Sequence, residues 1–531
     1  MLQLSSVDHD SIPPQLTFAE TYNAAHDLLE RNLIAGRRDK PAFIDDERSL
    51  TYGQLEEGSA AFAHGLIALG MQREQRVLLC MHDTVDLPVA FLGAIRAGIV
   101  PVLANTLLTQ NDYAFLLNDC RAPVAVVSGA LSPLFESIRQ RTPQLRNLVI
   151  SGSHAGPGTL TEMLESNRRP FDTVETHRDE PCFWLYSSGS TGNPKGTVHS
   201  QASLMQTAEL FGRGILGISE SDVCFSAAKI FFAYGLGNSL SFPLSQGATT
   251  ILMAERATPA AIFQRLQKHR PTVFCGVPTL YAGLLSSPEL PPGPSTHLRT
   301  CTSAGEPLPA AIGERWLAHF GVDIIDGIGS TEMLHIYLSN KPGDVAYGTT
   351  GRPVPGYEIR LVDDQERPVP PGDAGELHVR GPSGALLYWN NRDRTRHTFL
   401  GDWTRSGDKF VQREDGRYVY CGRSDDMLKV SGIYVSPAEV EAALASHPAV
   451  LEAAVVGRKD ADELIKPMAF IVLKDPSQAG DALAAELKGH VKSLLAPYKY
   501  PRWFEFRSDL PKTATGKIQR FRLRADLEHG K

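Results

Sequence analysis

The stretch SSGSTGNPKG, residues 187–196, places four hydroxyl side chains, three glycines and one lysine in ten consecutive positions. Glycines let backbone N–H groups converge on an anion, hydroxyls donate further hydrogen bonds, and Lys195 supplies positive charge, so the loop suits phosphate. It is not a Walker loop. Counting from Gly189, Pro194 stands where the second glycine is required, and the GTVHS that follows is strand-like rather than helical. A Ser-Ser-Gly segment acting with a lysine also fits a serine amidase, and a solvated turn fits any Ser/Gly run. On this loop alone the three readings stand side by side.

Five further stretches combine glycine with hydroxyl or charged residues: SAGEPLP (303–309), DGIGSTE (326–332), RSGD (405–408), GRSDDMLKVSGIYVSPAEVE (422–441) and PKTATGKIQR (511–520). The elements between them must hold these together. From about residue 40, helical and strand patterns alternate: LTYGQLEEGSAAFAHGLIALG reads as a helix ending at Gly70, QRVLLCM as a buried strand, VAFLGAIRAG as a helix, IVPVLAN as a strand. This rhythm predicts α/β layers with largely parallel pairing. After about residue 345, short strands with Pro/Gly turns predict a small β-rich subdomain, and beyond GRSDDMLKV a compact α+β unit follows. The expected domains are 1–424 and 425–531.

Composition narrows the partners. The 531 residues are 42% hydrophobic and 21% charged with net charge −7, which gives no electrostatic reason to expect nucleic acid or an anionic membrane. The start MLQLSSVDHDSIPPQ has neither a basic opening nor an apolar run, so no secretory signal is expected. The apolar run VAFLGAIRAGIVPVLA is cut by Arg96, Gly98 and Pro101 and is too short to span a bilayer. Seven cysteines, none at CxxC spacing, predict free thiols in a reducing cytoplasm and no zinc site.

In order and in type, the six stretches resemble the signature of the AMP-forming acyl-adenylate enzymes, over some 330 residues. That resemblance implies a large N-terminal domain of layered α/β subdomains with a small β-rich subdomain, then a small mobile C-terminal domain. It implies two steps: a carboxylate attacks the α-phosphate of ATP to give an acyl-adenylate and pyrophosphate, and a thiol then displaces AMP. Ser187, Ser188, Gly189, Ser190, Thr191 and Lys195 are expected on the β- and γ-phosphates. Glu332, after Thr331, is expected to hold Mg2+, since one carboxylate with phosphate oxygens and water is an ordinary magnesium environment. Gly305, Glu306 and Pro307 on one side and Asp326, Gly327 and Ile328 on the other are expected around adenine. Asp408 and Arg423 are assigned to the ribose, Lys517 to catalysis of the first step, Asp425 to a hinge, and Gly432 to passage of the pantetheine arm.

The segments SAAKIFFAYGLGNSL and DGIGSTEMLHIYL resemble the aryl-CoA ligase branch, above all benzoate- and hydroxybenzoate-CoA ligases. Phe231, Phe232 and Tyr234 offer aromatic walls. Ala227, Ala228, Gly235 and Gly329 are expected to leave space for a flat ring, and His335 to touch the ring or its carboxylate. Leu334 favours an unsubstituted ring over a para-hydroxyl. With no carrier-protein serine motif in the chain, free CoA is the expected acceptor. Benzoate is the first expectation for the acid, with 4-hydroxybenzoate and 2-aminobenzoate as alternatives. A lysine acetyltransferase acting on Lys517 is a further partner that the chemistry allows, and either monomer or homodimer fits the sequence. An amidase would leave five of the six stretches unused, and a catalytically silent homologue would not need Lys517, Asp408 and Glu332.

Overall fold

The computed structural model describes residues 2–152, 156–189, 192–295, 297–424, 426–430, 433–460, 465–495, 499–512 and 518–528; the side chains at 188, 189, 192, 193, 429, 433, 434 and 528 are outside it as well. Two large sheets carry the N-terminal part. In the first, seven strands run in the order Leu387–Tyr388, Gly192–Ser200, Pro181–Gly189, Val100–Leu103, Arg76–Cys80, Val124–Ser128, Asn147–Ser151. Its pairs from 181–189 onward are parallel, while the 181–200 hairpin and the 387–388 edge are antiparallel. The second has nine strands, with Thr300–Ser303 and Ile324–Gly329 parallel near one edge and Ile336–Ser339 folded back antiparallel.

Local sequence accounts for the helices between the strands. Thr51 and Gln54 form a capping box that starts the helix Tyr52–Ala68, and Thr109 with Asp112 does the same for Gln110–Cys120. The apolar run that was too short for a membrane is the helix Asp86–Arg96, buried along its whole length, followed by the strand Val100–Leu103. No helix among the described residues is long and apolar enough to cross a membrane. All seven cysteines are free thiols, six of them buried.

Between the second sheet and the C-terminal part lie the antiparallel strands Glu358–Val362, Ala374–Arg380, Trp403–Gln412 and Tyr418–Arg423. Beyond residue 427 two separate hydrophobic clusters form, built on the sheet of Val450–Lys459, Ile465–Leu473 and Trp503–Phe506. This unit therefore has a core of its own.

In the aromatic segment 226–240 only Ala233–Leu236 is α-helical, continuing as a π-helix over Gly237–Ser241. A second π-helix, Ala208–Arg213, lies against it, with the Phe211 and Phe242 rings 6.1 Å apart. Wide turns of this kind occur mostly at functional sites.

Candidate active site

The site forms where the two sheets meet. Ser187 and Lys195 are direct partners across the 181–200 hairpin, so their side chains emerge on one face. Ser187 Oγ is buried and has no hydrogen-bond partner among the described residues. Such a hydroxyl costs stability unless a ligand uses it. The edge strand Leu387–Tyr388 pairs with this hairpin, and it brings the Tyr388 hydroxyl to Glu332, donating to Oε1 at 2.6 Å. Lys195 Nζ lies 3.6 Å from the same carboxylate oxygen, 3.3 Å from the Tyr388 oxygen, and 4.4 Å from the centre of that ring.

Electrostatics follow from this packing. Burial alone would push the Glu332 carboxyl up, but Lys195 and the Tyr388 hydroxyl outweigh it and hold the acid below its ordinary range, ionised. Burial draws Lys195 below the usual lysine value, with Glu332 opposing. The turn carrying Glu332 is fixed from both sides: His199 Nε2 lies 2.8 Å from the Thr331 carbonyl oxygen, and the Ala385 amide donates to the Glu332 carbonyl at 2.7 Å. His199 itself stacks on Phe183 at 5.2 Å. Neither Tyr388 nor His199 was picked out in the sequence. The only signal for His199 was its inward place in the GTVHS strand, and Tyr388 had none until strand 387–388 was placed.

The two glycine turns lie side by side at the carboxyl ends of parallel strands, where ligand crevices form. Gly305 (φ +95°), Glu306 and Pro307 follow the strand Thr300–Ser303 and are exposed or half-buried. Asp326, Gly327 and Ile328 end the neighbouring strand. Asp326 is buried, its Oδ1 has no partner among the described residues, and burial drives its carboxyl well above the usual range. Asp408 and Arg423 meet across the strands 403–412 and 418–423, with Nη1 3.3 Å from Oδ1. Arg423 also donates to the Ser406 carbonyl at 3.0 Å. Gly407 between them has φ +74°, and a Cβ there would stand 2.7 Å from Arg423 Nη2, so only glycine suits the turn.

The aromatic segment faces the turn 326–335. Tyr234 donates its hydroxyl to the Thr302 carbonyl at 3.0 Å, and Phe231 packs on Phe232 at 4.5 Å. His335 is 2% exposed, set among Phe211, Tyr234 and Phe242, with ring centres 5.1, 5.5 and 4.5 Å away. Its Nε2 lies 3.3 Å from the Tyr234 carbonyl, while Nδ1 has no partner among the described residues. The residue before it, Leu334, is buried and sits at φ +65°, an unusual conformation for a non-glycine side chain, of the kind that collects at functional sites.

The room expected at two glycines is not open space. A Cβ at Gly235 would stand 2.0 Å from the Lys229 carbonyl oxygen and 2.6 Å from that of Ala228. One at Gly329 would stand 2.4 Å from the His335 carbonyl oxygen. Both are glycine because backbone passes against them, which shapes the pocket indirectly. Gly329→Ala must therefore open the turn between strands 324–329 and 336–339, and we expect at least a tenfold loss of acid-dependent turnover, with a lower denaturation midpoint. Steady-state kinetics with the acid varied at saturating ATP check it.

Burial also brings the His335 imidazole down to about 3, against an ordinary value of 6.5. It is neutral at working pH, and its burial contributes stability that is complete above pH 6.5 and lost as the pH falls below it. We expect the His335 ring resonance, identified by its disappearance in His335→Gln, to keep its neutral-imidazole position between pH 5 and pH 8 in NMR.

Several expected site residues lie outside the described residues: Ser190, Thr191, Asp425, Gly432 and Lys517, together with the side chains at Ser188 and Gly189. Among the described residues no three His, Cys, Asp or Glu side chains come together as a metal cage. A cation at Glu332 would therefore share that one carboxylate with phosphate oxygens and water, which suits Mg2+.

The frame of the site is a layered α/β body in which Lys195 of the glycine-rich hairpin faces the half-buried Glu332 carboxylate, and the comparisons give the class. Residues 29–389 match the family described as AMP-binding enzyme, and residues 439–517 match the AMP-binding enzyme C-terminal domain; the chain belongs to this family. It is 58% identical to a benzoate–CoA ligase of Thauera aromatica over 99% of this chain and all of that one. It is 50% identical to a 4-hydroxybenzoate–CoA/benzoate–CoA ligase of Rhodopseudomonas palustris, covering 95% and 94%. Among solved structures it resembles a benzoate CoA ligase from Burkholderia xenovorans, with 55% identity, a TM-score of 0.88, and 95% and 100% of the two chains covered. It also resembles an anthranilate CoA ligase in complex with anthranoyl-AMP, with 41% identity, a TM-score of 0.93, and 97% and 98% covered.

Proposed function

We propose that the chain is an AMP-forming aryl-CoA ligase whose preferred acid is benzoate. The observation that carries the chemistry is the approach of Lys195 to the ionised Glu332 at 3.6 Å, with Ser187, whose hydroxyl has no partner among the described residues, directly across the hairpin from Lys195. Full-length identity to a benzoate–CoA ligase supports the choice of acid. The aromatic surround of a neutral His335 supports it too, since it offers apolar surface and no charge to pair with a polar ring substituent.

In this reading the benzoate oxygen attacks the α-phosphorus of ATP, the bond to the bridging oxygen breaks, and pyrophosphate leaves. The CoA thiol then attacks the acyl carbon, loses its proton, and AMP leaves. Lys195 and Ser187 hold the β- and γ-phosphates as the charge moves onto them. Asp408 accepts from the ribose hydroxyls, with Arg423 beside it. Asp326, whose carboxyl burial pushes upward, lies in the second of the two turns beside the adenine. Glu332 holds Mg2+, which supplies positive charge to the phosphate oxygens. Ser188, Gly189, Ser190, Thr191, Lys517, Asp425 and Gly432 keep the roles that family likeness gives them, and the mobile unit begins at 425. Free buried thiols support a cytoplasmic setting.

The test is pyrophosphate and AMP release with benzoate, 4-hydroxybenzoate, 2-aminobenzoate, cinnamate, hexanoate and palmitate, each with and without CoA. CoA-dependent turnover with the highest kcat/KM for benzoate is the expected result. A higher kcat/KM for a fatty acid overturns the pocket assignment, and no ATP cleavage with any acid overturns the ligase reading.

A further inference from the structure

Residues 513–517, Lys517 among them, lie outside the described residues, but the residues on both sides are described and both sides are clamped. Lys512 and Ile518 pair as an isolated antiparallel bridge, and the Gln519 amide donates to the Pro511 carbonyl at 2.7 Å. On one flank Lys512 Nζ donates to Glu452 Oε1 at 2.7 Å. On the other, Arg520 makes a forked salt bridge to Glu441: Nε to Oε1 at 3.0 Å and Nη2 to Oε2 at 2.6 Å. Glu441 is itself pinned to the sheet, since its Oε1 accepts the Val455 amide at 2.7 Å.

The same arginine reaches back toward the junction of the two units. Arg520 Nη1 lies 3.7 Å from Asp426 Oδ2, and Arg524, one helical turn on, donates to Asp426 Oδ1 at 2.7 Å. The side chains of Arg520, Glu441 and Asp426 are only 21%, 13% and 14% exposed. A two-pronged, shielded pair of this kind fixes direction as well as distance, which an exposed single-contact ion pair does not. A lysine could supply the charge but not the fork.

We propose that Arg520 is a positioning residue for adenylate formation. Through Glu441 and Asp426 it fixes the chain just after Lys517 against the residue that follows the hinge position, so that rotation of the C-terminal unit delivers Lys517 in one geometry. The proposal rests on the role given to Lys517 above. Lys517 meets the reacting atoms and Arg520 does not, so its loss should act on one half of the reaction. A displacement of about 1 Å at a reacting group costs on the order of 100-fold in rate. The thioester step, which uses another face of the same unit, should be spared.

The test separates the two half-reactions in the full-length enzyme. Adenylate formation is read as pyrophosphate release from benzoate and ATP without CoA. The second step is read as benzoyl-CoA formation from synthetic benzoyl-AMP and CoA. We expect R520Q and E441Q to slow the first by roughly 30- to 100-fold and the second by no more than about threefold, with R520K between wild type and R520Q. Parallel loss of both half-reactions, or loss of neither, overturns the proposal. If R520Q does not fold, R520K decides by the same split. K517A is the control: normal adenylate formation in K517A overturns the assignment of Lys517, and this is separate from any result on Arg520.

Discussion

Glu332→Gln is expected to lower pyrophosphate release from benzoate and ATP by about 100- to 1,000-fold, the scale on which a single preorganised electrostatic group acts in a transition state. The substitution keeps the shape of the side chain and removes its charge. In the native site that charge is sustained against burial by Lys195 at 3.6 Å and by the Tyr388 hydroxyl at 2.6 Å. Glutamine still accepts from Tyr388, so the turn should hold, but it leaves Lys195 facing a neutral group and gives Mg2+ no carboxylate. The measurement is half-reaction kinetics as a function of Mg2+ concentration. The expected signature is a higher Mg2+ requirement together with the slower rate. Tyr388→Phe is the internal comparison: it removes the hydrogen bond to the ionised carboxylate and the one Lys195 donates to its oxygen, and a hydrogen bond to a charged group contributes about 1.5–3 kcal/mol, so a loss of roughly 10- to 100-fold is expected. An E332Q enzyme with unchanged adenylate formation would remove Glu332 from the chemistry.

Trp316→Ala carries the second largest expected effect, and it acts on the scaffold. Trp316, on the helix Ala310–Phe320, is fully buried, with its ring 4.1 Å from Phe320, 4.7 Å from Tyr281 and 6.3 Å from Phe274. Truncating a buried tryptophan to alanine costs about 3–5 kcal/mol, because the cavity collapses only in part. The loss reaches the site through one carbonyl. Tyr281 donates to the Thr302 oxygen at 2.9 Å, and Tyr234, in the aromatic segment, donates to the same oxygen at 3.0 Å. Loosening Tyr281 therefore loosens the strand that ends in the SAGEPLP turn. Urea denaturation should show a lower midpoint for the N-terminal transition, and Trp316→Phe should recover more than half of the loss. A midpoint equal to wild type would mean that the helix Ala310–Phe320 does not buttress the sheet.

Much of this was legible before any coordinates. The strands at 76–80, 100–103 and 124–128 are short apolar runs bounded by glycine or polar turns, the helices beside them carry apolar residues at helical spacing, and those at 52–68 and 110–120 open on capping boxes. Those signals are local: a strand buried on both faces must be apolar throughout, and a helix start needs a side chain for its free amides. The glycine turns at 303–309 and 326–332 were legible for the same reason, since few other residues permit those backbone paths.

What the chain order could not supply is which distant groups share a point in space. Lys195 and Glu332 were each expected on phosphate or metal, but their approach depends on strand 387–388, whose two residues carry no pattern and which pairs only once the hairpin 181–200 exists. Tyr388 and His199 escaped notice because a lone tyrosine or histidine means nothing until a partner from another sheet faces it. The glycines at 235 and 329 were read as room for a ring, when the space belongs to backbone that arrives from residues 228–229 and 335–336. The residues that do the chemistry are written in the sequence because each motif is a local solution to holding an anion or turning a chain. Their charges, the neutral state of His335 and the ionised state of Glu332 belong to the tertiary structure, because desolvation and Coulomb interaction exist only when the neighbours have arrived.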